Sequence, residues 1–273
     1  MKIADESELK DMSLSIRKMA LDMAFSAGKR GSHIGGSFSC LEILTVLYGK
    51  ILRYDIYNPT WKDRDRFLAS KAHCILTHFA ILAYVGFFDR KILNSFSEDA
   101  GILAGHPMNL EMGLEYSAGS LGMGLSVGIG MALDAKDKGR THKVYILLGD
   151  GECQEGSVWE AFMAAPNFKL NNLVAIIDYN QLSYDGEIRE IMDIGDLESK
   201  LIAFGWRVKT VNGHDLGELT DAMQADGYDK PYAIIAKTVK AHGIPELEGN
   251  PKCHHAELTK KMYEMALAGL KGA

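Results

Sequence analysis

Apolar positions in the first part of the chain recur at helical spacing. Leu9, Met12, Leu14, Ile16, Met19, Ala20 and Met23 predict a helix over residues 6–27, stopped by Gly28. Residues 40–52 and 71–87 predict two more apolar helices. The loop between them is rich in Pro, Asp and Arg and carries a short strand at Arg66–Ala69. Residues 101–116 turn loop-like, and a glycine-rich helix is predicted over 119–138. Beyond it, strands at 144–148, 173–178, 207–211 and 232–237 alternate with helices, and a last helix is predicted over 256–270. The runs Val-Tyr-Ile-Leu-Leu, Leu-Val-Ala-Ile-Ile and Tyr-Ala-Ile-Ile-Ala do not alternate with polar residues. Strands of that kind are covered on both faces. The expectation is an α/β fold, a doubly wound and mostly parallel sheet flanked by helices. No repeat, low-complexity tract or linker interrupts it, so one domain over 1–273 is expected.

This pattern gives two polar residues their meaning. Asp150 lies at the end of the strand run 144–148, in Gly-Asp-Gly, and Asn180 follows the next run. Parallel strands joined by a helix end on the same sheet edge, so side chains thirty positions apart meet there. Taken singly, Asp150 reads as a turn former and Asn180 as a loop cap. Taken together, a carboxylate and an amide oxygen on glycine-bearing turns suit Mg²⁺ or Ca²⁺. A metal with so few protein ligands shares its sphere with water and phosphate oxygens.

The Gly-Asp-Gly turn followed by Asn180 resembles the thiamine diphosphate motif. His33 in GSHIGGSFS, His73 in DRFLASKAHC, His106 in GHP, residues 119–122 as GSLG and His254 in NPKCHH surround it. In that order these segments resemble the N-terminal third of a transketolase, from about residue 10 to residue 260. The resemblance implies the diphosphate-binding domain fold, thiamine diphosphate, and Mg²⁺ for which Ca²⁺ or Mn²⁺ can substitute. The metal ligands would be Asp150, Asn180 and the backbone carbonyl of Leu182, with Gly151 against the diphosphate. Gly119, Ser120, Leu121 and Gly122 would position the cofactor, and Ser120 departs from the family's usual Pro. His33, His106 and His254 would bind the hydroxyls of a donor ketose, and His73 would lie near the diphosphate and the C1 hydroxyl. Ile34 stands where the family has Pro after the first of these histidines, and His255 is the alternative to His254. Lys71 and Lys240 match basic positions flanking the cofactor channel; solvated surface lysines are the other reading. Glu155 and Glu160 match acidic residues at the subunit interface, or else complement a helix dipole.

Composition narrows the partners. The net charge is −6, with no extended Lys/Arg cluster, which argues against nucleic acid and anionic membranes. The opening MKIADESELKDMS is unlike a signal peptide, and no apolar run is long enough to span a bilayer. Cys40, Cys74, Cys153 and Cys253 form no CxxC pair and read as reduced thiols, so a cytoplasmic location is expected. Full-length transketolases continue with a pyrimidine-binding domain, which carries a cofactor-activating glutamate, and a C-terminal domain. The resemblance therefore implies the N-terminal subunit of a split transketolase. Its partner chain would supply those domains, in an α2β2 assembly acting on sugar or sugar phosphate substrates. The alternatives are a split enzyme for a modified sugar, a split 2-oxo acid dehydrogenase of the E1 α type, and a non-catalytic thiamine diphosphate-binding module.

Overall fold

A computed structural model describes residues 4–99, 101–103, 108–225, 227 and 229–270. Helix α1, Glu6–Ser26, starts at a reciprocal cap: Asp5 accepts from the Glu8 amide while Glu8 accepts from the Asp5 amide. The short α2, Ile34–Phe38, and α3, Leu41–Val46, follow, and α3 runs on as a π-helical turn at Leu47–Ile51. Strand β1, Arg66–Ala69, precedes α4, Ile75–Val85, and then α5, Gly124–Asp137. The second half alternates β2 (Val144–Gly149), α6 (Gly156–Asn167), β3 (Leu173–Tyr179), α7 (Ile188–Ile191) and α8 (Leu197–Phe204). It closes with β4 (Arg207–Asn212), α9 (Leu216–Gln224), β5 (Tyr232–Lys237) and α10 (Lys260–Leu270).

The five strands form one parallel sheet in the order β1-β2-β3-β5-β4. Because strand side chains alternate, each buried run feeds two cores. Tyr145, Leu147, Val174, Ile176 and Ile234 face a core built with α1, α3, α4 and α9. Val144, Ile146, Leu148, Ala175 and Ile177 face the other, against Leu125 and Ile129 of α5 and Val158 and Phe162 of α6. Among the described residues no helix is long and apolar enough to cross a membrane.

All five strands lie where the apolar runs predict them. The expected helix over 119–138 begins only at Gly124. Gly122 is left-handed at φ +82° and its amide donates to Glu152, so residues 119–122 form a turn. The expected helix over 256–270 begins at Lys260, because Ala256 exchanges backbone hydrogen bonds with Ser32. The helix expected over 71–87 starts with a 3₁₀ turn at Ala72–Cys74 and stops at Gly86, φ +98°. Helix α2 is the unexpected element, since its adjacent Gly35 and Gly36 suggest loop.

One core histidine has a measurable consequence. His78 is buried between Tyr48 and Phe67, and burial pushes its pKa down to about 4. The folded value lies below the unfolded one, so stability is complete above pH 6.5 and is lost as pH falls towards 4. That shift costs the native state about 3 kcal/mol over this window. In urea titrations across the window, His78→Phe is expected to remove about that much of the acid sensitivity. An unchanged pH dependence would contradict the assignment.

Candidate active site

The register of β2 on β3 places Gly149 opposite Asp178, so the next residues of both strands meet beyond the sheet edge. There Asp150 is buried and accepts hydrogen bonds from the amides of Gly151 (2.8 Å) and Gln181. Gln181 holds a left-handed φ of +62°, strained for a residue with a β-carbon. Asn180 donates from Nδ2 to Asp178 Oδ1 (3.3 Å) and accepts at Oδ1 from the Leu182 amide (3.1 Å). This pairing fixes which end of the amide is oxygen. The Leu182 carbonyl points to a cation already: Lys240 Nζ lies 2.8 Å from it and 2.6 Å from the Ser183 carbonyl.

Burial, then the neighbouring Asp178, pushes the Asp150 pKa up to about 7, against the opposing pull of its two amide donors. Burial drives Lys240 down to about 8. A half-neutralised carboxylate beside an amide oxygen and a carbonyl oxygen is a donor set that fits a hard divalent ion. No group of three or more His, Cys, Asp or Glu gathers as a metal cluster among the described residues, consistent with a site whose other ligands are uncharged oxygens.

Lys71 and Lys240 are not solvated surface lysines; they are 1% and 2% exposed. The Lys71 ammonium donates to Asp178 Oδ2, to the Gly36 carbonyl (2.8 Å) and to Ser39 Oγ (3.3 Å). Asp178 also accepts from Ser39 and Thr238. Burial alone would push Asp178 up, but the ammonium and these hydroxyls outweigh it and hold the carboxyl below its usual range. Lys71 thus orients Asp178, which in turn orients Asn180.

Three of the four predicted histidines converge. The His73 and His254 rings are 5.0 Å apart, and His33 lies 6.2 Å and 5.6 Å from them. His106 lies outside the described residues. Burial, reinforced by Lys71 and the other imidazoles, keeps His73 well below its ordinary pKa. Burial and Lys240 hold His254 at about 3. Neutral imidazoles both donate and accept, as sugar hydroxyls require. His254 Nδ1 is buried with no hydrogen-bond partner among the described residues, an opening for a ligand group. Gly36 permits the close approach of His73, since a β-carbon there would sit 2.2 Å from His73 Cδ2.

These groups line one cavity of about 420 Å³, with Gly119, Leu121, Gly151 and Glu155 at its wall. His254 lines it, whereas His255 is exposed and packs 4.9 Å from His33. Ser120 is exposed, and Gly122 is buried with its amide engaged by Glu152 at 2.9 Å. Glu155 and Glu160 are both exposed, at the start of α6. A larger cavity, about 930 Å³, is lined by Tyr48, Tyr54, Tyr57, Trp61, Glu8 and Asp11. No Lys or Arg lines it, so it offers a diphosphate nothing.

Sequence reasoning misses Glu152, which is buried and binds the Gly122 and Gly149 amides and the Ser70 hydroxyl, tying the glycine turn to the Gly-Asp-Gly turn. Its only sequence signal is adjacency to Gly151. Asp178 is missed too, although an acid inside an apolar run is itself a signal of a buried partner.

Comparison with known proteins places this geometry in a family. The family model described as transketolase, thiamine diphosphate binding domain, matches residues 9–268. One of the two subunits of an apulose-4-phosphate transketolase from Phocaeicola vulgatus is 40% identical over 253 residues, covering 92% of this chain and 89% of that protein. A 6-deoxy-6-sulfo-D-fructose transketolase subunit from a Clostridium species is 36% identical, covering 97% of this chain and 96% of that one. The crystal structure of transketolase from Campylobacter jejuni superposes with a TM-score of 0.91 at 31% identity. It is matched over 98% of this chain but 43% of its own, so the chain spans less than half of that single-chain transketolase. The chain belongs to the transketolase family, as a thiamine diphosphate-binding domain of it.

Proposed function

We propose that this chain is the N-terminal subunit of a split transketolase, which moves a two-carbon ketol unit from a ketose or ketose phosphate to an aldose or aldose phosphate. The observation that carries the reading is one cavity holding both the oxygen turn of Asp150, Asn180 and Leu182 and the neutral imidazoles of His33, His73 and His254. Thiamine diphosphate, when bound, supplies the carbon nucleophile that a ketose carbonyl needs. Asp150, Asn180 and the Leu182 carbonyl would hold Mg²⁺, with Ca²⁺ or Mn²⁺ as substitutes, and Gly151 would allow the diphosphate to approach. Lys240 supplies positive charge at that end, and Lys71 keeps Asp178 and Asn180 in place. His33, His254 and, by family position, His106 would bind donor hydroxyls and move protons to and from them, while His73 sits at the inner wall.

A partner chain would supply the pyrimidine-binding and C-terminal domains and the activating glutamate, in an α2β2 complex. The exposed Glu155 and Glu160, at the mouth of the cavity and on α6, suit that interface. The names of the relatives that match in length support a partner, since both are subunits.

Those names also favour a second reading of the substrate, a modified sugar, because the two relatives are named for apulose 4-phosphate and 6-deoxy-6-sulfo-D-fructose. A donor panel on the assembled complex tests the choice. It would hold xylulose 5-phosphate, apulose 4-phosphate and 6-deoxy-6-sulfo-D-fructose, with Mg²⁺ and thiamine diphosphate. A kcat/KM for xylulose 5-phosphate above the others by about tenfold or more would establish ordinary ketol transfer. The reverse ranking would establish a specialised enzyme, and no transfer from any donor would oppose both.

A further inference from the structure

Behind the cavity lies a cluster that the proposed chemistry does not use. Arg17 of α1 and Glu42 of α3 form a buried ion pair, with side chains 8% and 7% exposed. Glu42 also pairs with His214, in the turn after β4, at 2.9 Å from Nδ1. Burial would push Glu42 up, but the His214 and Arg17 contacts hold it below its usual range. The Val239 amide donates to His214 Nε2 at 2.8 Å, so the His214 proton sits on Nδ1 and is given to Glu42.

What this cluster grips is the turn over residues 239–243. His214 takes the Val239 amide, and Arg17 donates to the His242 carbonyl. The His242 ring stacks on His214 with centroids 3.8 Å apart. Between these holds, Ala241 is left-handed at φ +59° and donates to the Gly35 carbonyl at 3.1 Å. Gly243, φ +81°, lies so close to Arg17 that a β-carbon would be 2.5 Å from the guanidinium. A non-glycine residue persists in that conformation only when its surroundings over-determine it. The residue the turn presents to the cavity is Lys240, whose ammonium bonds the Leu182 and Ser183 carbonyls.

We infer that Arg17, Glu42 and His214 are positioning residues for Lys240: they hold the 239–243 turn from behind and aim its ammonium at the Leu182 carbonyl. The consequence for cofactor binding rests on the function proposed above, but the positioning itself does not. Sequence offers no hint of the arrangement, since its members come from α1, α3 and two separate turns.

Two measurements on the full chain test it. The first is the rate of covalent labelling of individual lysines by an amine-reactive ester, read by mass spectrometry. Lys71, equally buried but held by Asp178 elsewhere, is the internal control. In Glu42→Gln and His214→Ala, Lys240 should label about tenfold faster while Lys71 stays protected, the size expected for a lost charged hydrogen bond. His214→Gln, whose side-chain oxygen can still take the Val239 amide, should fall between wild type and His214→Ala. Lys240 and Lys71 exposed together would mean general loosening, and unchanged labelling of both would mean no hold; either overturns the inference.

The second is a double-mutant cycle on thiamine diphosphate binding with Mg²⁺. Glu42→Gln should weaken binding alone but not further in a Lys240→Met background. Fully additive losses would overturn the inference. Faster Lys240 labelling with cofactor binding unaffected by Lys240→Met would uphold the positioning and remove Lys240 from the proposed cofactor site.

Discussion

Asp150→Ala is expected to abolish Mg²⁺-dependent retention of thiamine diphosphate, with affinity falling by about 100-fold or more, as removal of a metal's only charged protein ligand should. The pH dependence makes the test specific. In the metal-free chain Asp150 is held near pKa 7, chiefly by burial and secondarily by Asp178. Below that pH the carboxyl must lose a proton before it can ligate, so Mg²⁺ affinity should fall as pH drops through about 7, by roughly tenfold per unit. Above it the carboxylate is ready and affinity should level off. Asp150→Ala should remove the affinity and this slope together. Isothermal titration at pH 6, 7 and 8 checks both. A variant that binds more weakly but keeps the same slope would mean that Asp150 only shapes the turn.

The second large effect belongs to Lys71→Met. It strands the Asp178 carboxylate inside the protein with hydroxyl and amide donors only. Breaking a buried pair by removing one partner costs about 3–5 kcal/mol. In the wild type, Asp178 is held below its ordinary pKa, so its contribution is present above that range and is lost as pH falls through the depressed value. The variant should lose that contribution, most visibly near neutral pH, and urea midpoints at pH 5 and 8 measure it. Lys71→Met/Asp178→Asn, which removes the stranded charge, should recover part of the loss. If Lys71 instead served mainly as a diphosphate ligand, the single variant would bind cofactor poorly at unchanged stability. That result would contradict the structural reading.

The legible part of this protein follows from parallel-sheet geometry. The runs at residues 144–148 and 173–178 fix two strand ends, and parallel strands must leave Asp150 and Asn180 on one edge. The histidines are legible only through resemblance, because nothing local says that residues 33, 73 and 254 share a wall. The structure brings those three within 5.0–6.2 Å. Partners that depend on tertiary placement stay hidden in the sequence. Lys71 meets Asp178 from 107 positions away, and His214 meets Glu42 from 172 away. The turn at residues 119–122 reads as helix because its glycine content suggests close packing. The deciding contact, from Gly122 to Glu152, is a tertiary one.

The central claim is that this chain completes a thiamine diphosphate enzyme only with a second chain. The most direct measurement is a coupled ketol-transfer assay with Mg²⁺, thiamine diphosphate, xylulose 5-phosphate and ribose 5-phosphate, extended to the two modified donors named above. It would be run on the chain alone, on the chain co-expressed with a partner carrying the pyrimidine-binding domain, and on that pair with Asp150→Ala. The account predicts transfer by the wild-type pair alone, with the single chain and the Asp150→Ala pair silent. Sustained transfer by the single chain free of any other polypeptide, or undiminished transfer by the Asp150→Ala pair, would contradict it.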